Sequence, residues 1–338
     1  MVNPIAALLR RPFERRRRAR LLELVGPGII REERFLSLGG IDQWVTIRGC
    51  DQSNPIIVVL HGGPGSPYTP FNSWLGEWER EFTVVQWDQR GSGRTFVRAG
   101  EQVPDLSLER LVADGLELTE YLVARFARRA LLVGSSVGSL TGGIMVKRRP
   151  DLFTTFMAAN VLAPDPEHES FRIVHEHAQR RRDRRVLRDL QRIGPDPARW
   201  SPEESLRFSK LAIRASVGVP DMVYDLMLPA LMYDPGLSMS DIRAFDRGMT
   251  KSLYALQPEY ESFDFDALGY EYSVPVVIVQ GAADVISPAS VAGRHFQRIQ
   301  VPKKRFVEIE GAGHLVEFAD RSRFLSELRT TNREVTTI

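Results

Sequence analysis

Ser136, Asp284 and His314 are the residue types that turn a hydroxyl into a nucleophile, and each stands just beyond an apolar run. The segment Gly134-Ser135-Ser136-Val137-Gly138 follows Ala130-Leu131-Leu132-Val133 and precedes Ser139-Leu140-Thr141-Gly142-Gly143-Ile144-Met145-Val146. This order predicts a strand, a sharp G-x-S-x-G turn and a helix. Small residues surround Ser136 because the helix must pass close to the strand it leaves. Such a turn lifts the serine hydroxyl above the strand end. It also sets the Val137 N–H at a helix N-terminus, where the helix dipole favours an oxyanion.

A serine is a weak nucleophile until a base takes its proton, and the base needs an acid to orient it. Gln280-Gly281-Ala282-Ala283-Asp284 follows the strand-like run ending at Val279, and Glu310-Gly311-Ala312-Gly313-His314 follows the run ending at Ile309. Loops beyond the carboxyl ends of parallel strands are where such sheets place their sites. His314 is therefore the expected base and Asp284 its orienting acid. The remaining histidines near these segments, His168, His175, His177 and His295, lie in polar helical stretches. His175 and His177 are two residues apart, a spacing that does not share a helix face, so no metal site is expected. A second oxyanion donor is expected from His61-Gly62-Gly63-Pro64-Gly65, directly after Pro55-Ile56-Ile57-Val58-Val59-Leu60. Gly63 is the candidate donor. His61, Gly62, Pro64 and Gly65 are candidates for shaping the loop, His61 by holding it rather than by chemistry.

Positioning these groups needs a large core. The chain has 338 residues, of which 43% are hydrophobic and 26% charged, with a net charge of +2. A long α/β core with an insertion fits this length. Continuous apolar runs at 55–60, 82–87, 130–133, 153–159, 274–279 and 305–309 read as strands buried on both faces. Residues 35–38 and 41–47 read as a hairpin about Gly39-Gly40. Helices are predicted over 106–126, after Ser136 and over 315–328. Strands alternating with helices predict a mostly parallel sheet covered on both faces.

The expected division is an Arg-rich helical lead-in at 1–33, a core at 34–163 and 269–338, and a helical cap at 164–268. Within the cap, 168–192 is charged and helical, and Ser201-Pro202-Glu203-Glu204 reads as a helix start with a capping box. Met222, Tyr224, Met227, Leu228, Leu231, Met232 and Tyr233 could line an apolar acyl pocket or simply pack the cap. One cysteine, Cys50, excludes an internal disulfide, and neither a membrane-length apolar run nor a secretory leader is visible, which together predict a cytoplasmic protein. Arginines cluster at 10–20 and 180–185 without interleaved aromatics, so both clusters read as solvated helix faces, with neither nucleic acid nor stable membrane insertion expected.

His61-Gly62-Gly63-Pro64-Gly65 resembles the HGGPG signature of the proline iminopeptidase (prolyl aminopeptidase) family of α/β-hydrolases. Asp88-Gln89-Arg90-Gly91-Ser92-Gly93-Arg94-Thr95 is similar to that family's DQRGSGRS segment, and the order serine, acid, histidine agrees. The resemblance covers roughly 34–160 and 270–330. It implies an eight-stranded α/β-hydrolase core with a helical cap between strands 6 and 8. It also implies a Ser136–Asp284–His314 triad and hydrolysis through an acyl-enzyme without a cofactor.

Ser135 and Val137 depart from the family's G-G-S-W-G turn, and Val285 stands where some members carry an acid. Members hold the substrate's free amine through cap glutamates. Glu203 and Glu204 fall at the predicted helix start, which leaves Glu259 and Glu261 as candidate amine anchors. An acidic pair facing the pocket would favour aminopeptidase chemistry on a small molecule or short peptide. Its absence would favour an esterase, lactonase or amidase, and an acyltransferase or cyclising enzyme of a small-molecule pathway is the alternative on the same fold.

Overall fold

Continuous apolar runs become strands here because both faces of the sheet are covered. The computed structural model describes residues 3–336. Helix α1 (Pro4–Leu21) leads to a hairpin of β1 (Ile30–Leu38) and β2 (Ile41–Gly49). Then come β3 (Ile56–Leu60), α2 (Gly76–Glu81), β4 (Thr83–Asp88), α3 (Gly93–Ala99), α4 (Leu108–Phe126), β5 (Ala130–Ser135), α5 (Val137–Arg148) and β6 (Phe153–Ala159). Six helices follow: α6 (Glu169–Arg180), α7 (Arg184–Ile193), α8 (Pro202–Ala215), α9 (Leu228–Tyr233), α10 (Met239–Glu261) and α11 (Phe265–Leu268). The chain ends with β7 (Val276–Gly281), α12 (Ala289–Arg298), β8 (Lys304–Ile309), α13 (Val316–Ala319) and α14 (Arg321–Thr336).

The eight strands form one sheet in the order β1-β2-β4-β3-β5-β6-β7-β8. β1, β2 and β4 pair antiparallel, and β4, β3, β5, β6, β7 and β8 pair parallel. Alternate side chains of one strand enter different cores. Ile56, Val58 and Leu60 of β3 join the face covered by α4, α5 and α12, while Ile57 and Val59 join the face covered by α2, α13 and α14. From β3 the chain adds β4 on one side and then returns to add β5 on the other. That reversal opens a crevice beyond the carboxyl ends of β3 and β5.

Several expectations need adjusting. The lead-in stops before residue 33, because Ile30 already begins β1, and the outermost residues 1–2 and 337–338 lie outside the described residues. The insertion joins the sixth and seventh strands rather than the sixth and eighth. The charged stretch 168–192 is two helices, broken where Arg182 adopts a φ of 54°. The terminal helix at 315–328 is likewise two helices, the second reaching Thr336. The capping box is present: Glu204 N–H donates to Ser201 Oγ (3.2 Å) and Ser201 N–H to Glu204 Oε2 (2.8 Å).

The insertion has its own apolar centre, with Val174, Leu190, Phe208 and Leu211 packed against Val285 of the core. Helix α10 ties it down further, because Ser252 Oγ donates to Gly91 O (3.0 Å) and Gly65 lies against Ser252. The 88–95 segment is a scaffold. Buried Arg90 pairs with buried Asp114 (2.9 Å) and donates to Pro104 O and Gly39 O, while Gln43 Nε2 and Arg110 Nε also donate to Asp114. Removing one partner of such a pair strands a desolvated charge. Asp114→Ala is expected to cost about 3–5 kcal/mol in urea denaturation. A loss below about 1 kcal/mol, the size of an exposed pair, would assign the cluster no structural weight.

Candidate active site

From Ala130 to Val146 every residue is buried except Ser136, which is partly exposed. The turn between β5 and α5 causes this. Ser136 has φ 54° and ψ −125°, a strained pair for a residue with a side chain. A Cβ at Gly134 would lie 2.3 Å from Gly138 O, so the helix can leave this close to the strand only with glycine there. Ser136 N–H donates to Ala159 O (3.0 Å), and Ser139 returns both N–H and Oγ to Ser136 O (2.7 and 2.6 Å). The peptide units on both sides are thereby held, and Ser136 Oγ has no hydrogen-bond partner among the described residues.

The two later loops meet as the sequence suggests. His314 Nδ1 donates to Asp284 Oδ2 (2.8 Å), with both side chains buried. Asp284 also accepts from Ile286 N–H, Ser287 N–H (both 2.9 Å) and Gln280 Nε2 (3.0 Å), so its orientation is fixed. With its proton on Nδ1, His314 keeps the Nε2 lone pair. Burial alone would lower the His314 pKa. The Asp284 charge and hydrogen bond, with the charge of Glu317, more than offset this and leave it above the ordinary histidine value.

The glycine loop after β3 lies against the turn. A Cβ at Gly62 would fall 2.6 Å from Ser136 Cβ, so glycine is required at this approach. Gly63 follows with φ 116°. His61 holds the loop: Nε2 accepts from Gln89 N–H (3.2 Å) and lies 2.9 Å from Ser92 Oγ, and Nδ1 donates to Gly62 O (2.9 Å). Burial pushes its pKa down to about 4, so it is a neutral spacer between the 61–65 and 88–95 segments. Gly65 packs on α10, and Pro64 follows a cis peptide bond. Val137 opens α5, where an N–H has no intrahelical acceptor.

Ser136, Val137 and Gly63 line a cavity of about 640 Å³, walled on the insertion side by Trp200, Phe208 and Glu261. The apolar set 222–233 lies elsewhere. Met222 and Met227 pack toward the sheet, Met232 and Tyr233 pack with Ala7 of α1, and Tyr224 is exposed. Glu259 does not reach the cavity. Two positions before Glu261 on the same helix, it faces the other way, and its Oε2 accepts the Leu108 N–H at the start of α4 (2.9 Å). Among the described residues no cluster of three or more metal-ligating side chains occurs.

A buried polar network beneath the turn is absent from the sequence reading. Ser135 Oγ accepts from Tyr68 OH (3.1 Å) and Asn160 Nδ2 (2.9 Å). Asn160 also donates to Glu317 Oε2 (2.7 Å) and accepts the Val316 N–H (3.2 Å). Asn160 thus fastens the His314 loop to the serine turn. Its signals were a polar residue ending the apolar strand at 153–159 and an acid one helical turn after His314.

Comparison with known proteins agrees with this geometry. A model of the alpha/beta hydrolase family matches residues 57–327. The chain is 28% identical over 301 residues to the probable aminopeptidase YbaC of Bacillus subtilis, covering 87% of this chain and 93% of that one. The fold is similar to that of an esterase from Thermogutta terrifontis (TM-score 0.57, 18% identity, 90% and 99% of the two chains). It is also similar to that of a proline iminopeptidase-related protein from Thermus thermophilus (TM-score 0.54, 20% identity, 89% and 97%). An eight-stranded sheet with its partly exposed serine at the reversal of strand order, together with a family match over most of its length, makes this chain a member of the alpha/beta hydrolase family.

Proposed function

We propose that this hydrolase cleaves an amide or ester bond in small substrates bearing a free amine, using Ser136 as nucleophile, His314 as base and Asp284 as its orienting acid. Ser136 Oγ attacks the carbonyl carbon while its proton passes to His314 Nε2. The oxyanion takes up hydrogen bonds from the N–H groups of Gly63 and Val137. Collapse breaks the bond to the leaving group, which receives the proton from His314. Water then attacks the acyl-enzyme by the same route, and Ser136 regains its proton. The insertion over 164–268 acts as the cap of this site, and about 640 Å³ suits a small molecule or a peptide end.

One observation carries the substrate class. Five acids line the cavity. Asp165 pairs with Arg294 and Asp266 with Arg298, Asp264 caps α11, and Asp196 caps a turn and pairs with Arg199. Glu261 alone among them has no hydrogen bond or ion pair among the described residues. Burial, then the nearby charge of Asp196, pushes its pKa up to about 7. Glu261 is thus an acid near Asp196 with no cation of its own, and a substrate ammonium supplies one. The relationship to a probable aminopeptidase supports the same reading.

Four outcomes follow. Ser136→Ala should lose fluorophosphonate labelling and at least about 10⁴-fold in kcat; a mutant still fully labelled would remove Ser136 from the mechanism. Glu261→Gln should raise KM for aminoacyl arylamides about 10- to 100-fold, the worth of a charge-assisted contact, with simple nitrophenyl esters unaffected. Equal effects on both substrates, or no arylamide turnover by the wild type, would leave an esterase. In the wild type, activity on arylamides should rise with pH as Glu261 and His314 lose their protons, then fall above about 8 as the substrate amine loses its own. Glu317→Gln should move the acid limb for both substrates to lower pH, since a charge that raises the His314 pKa is gone. An unshifted limb would make Glu317 a purely structural tie.

A further inference from the structure

Helix α1 carries seven arginines and one glutamate, and its two faces do different things. The inner face is bound to the protein. Arg11 donates to Met232 O and Leu237 O (3.0 and 2.7 Å), Arg15 donates to Pro235 O, and Arg18 donates to Ser73 Oγ and lies over the Trp74 ring. Ala7 is fully buried against Met232 and Tyr233. These contacts fix the helix, so its outer face is presented rigidly rather than as a free tail.

That outer face places Ile5, Leu9 and Phe13 in one row at successive i, i+4 positions, with exposures of 70, 78 and 70%, and Leu8 beside them at 53%. Arg10, Arg16, Arg17 and Arg20 are exposed on the same side. Glu14, the helix's single acid, is turned inward, with 16% of its side chain exposed. No fold-stabilising role accounts for four large apolar side chains left in water.

We propose that α1 is an interfacial anchor that docks the enzyme on an anionic lipid surface. Aliphatic and aromatic side chains enter the boundary between headgroups and acyl chains, and arginines around them meet lipid phosphates. Self-association fits less well, because a second copy would bring the same arginines together with no acid opposite. Nucleic acid would leave the apolar row unused. The helix lies on the surface and does not cross it; among the described residues no helix is long and apolar enough to span a membrane.

The test uses the full chain in flotation with vesicles of phosphatidylcholine alone and of equimolar phosphatidylcholine and phosphatidylglycerol. The wild type should bind the anionic vesicles about tenfold or more tightly, and added salt should weaken this. Leu9→Asp combined with Phe13→Asp should abolish binding, and Arg16→Gln with Arg17→Gln and Arg20→Gln should remove the preference for anionic lipid. Both variants should keep the wild-type rate on a soluble substrate. A wild type that floats with neither vesicle, or binding insensitive to both variants, overturns the proposal. So does a wild-type dimer that Leu9→Asp and Phe13→Asp convert to monomer, since a second copy would then cover the face.

Discussion

The strained turn at Ser136 is the constraint on which the rest of the structure depends. Its φ of 54° and ψ of −125° are not a conformation a serine adopts by itself, so neighbouring contacts must over-determine it. They come from every side: Ala159 O on β6, Ser139 at the first turn of α5, and Gly62 on the loop after β3. Each is a close approach of backbone. That is why glycine and serine dominate the segment, and why the flanking strands must be buried and rigid. The parallel core supplies the rigidity, and the reversal of strand order between β3 and β5 supplies the open space above.

Charge is arranged around this turn in two shells of different character. Beneath it, Asp284 is saturated by four donors, and Asn160 ties Glu317 to Ser135. These acids hold position and act on His314. Above it, Glu261 is left unsatisfied in the cavity. An acid with its partners present is a structural element; Glu261, partly exposed and without them, is the one to which the proposed function gives a ligand. The same physical test separates His61, neutral and bonded at both nitrogens, from His314, whose Nε2 stays available.

Much of this was legible in the residue order. Strands buried on both faces are continuous apolar runs, and glycine loops at their carboxyl ends mark Ser136, Asp284, His314 and Gly63 without structural information. What escaped depends on contacts distant in sequence. Glu259 and Glu261 look equivalent in the chain, but two steps along a helix send one to cap α4 and the other to the cavity. Asn160 and Glu317 are 157 residues apart, and nothing local pairs them. Residues 222–233 carry the composition of a pocket lining, yet docking against the sheet and α1 uses them as packing. The arginines of α1 read as one solvated cluster, whereas the fold divides them between an inner face that binds carbonyls and an outer face that does not.

Helix α10 touches several parts of this apparatus at once. Ser252 bonds Gly91 and abuts Gly65, and the same helix carries Glu261 at its last residue. On the proposed mechanism, substrate selection and oxyanion geometry therefore share a single rigid rod. On that mechanism the insertion is not an interchangeable lid: a graft that altered α10 would shift the 61–65 loop as well as the cavity wall. If the cavity chooses the substrate as proposed, new specificity is reached most directly through side chains facing it, with the backbone of that helix left in place.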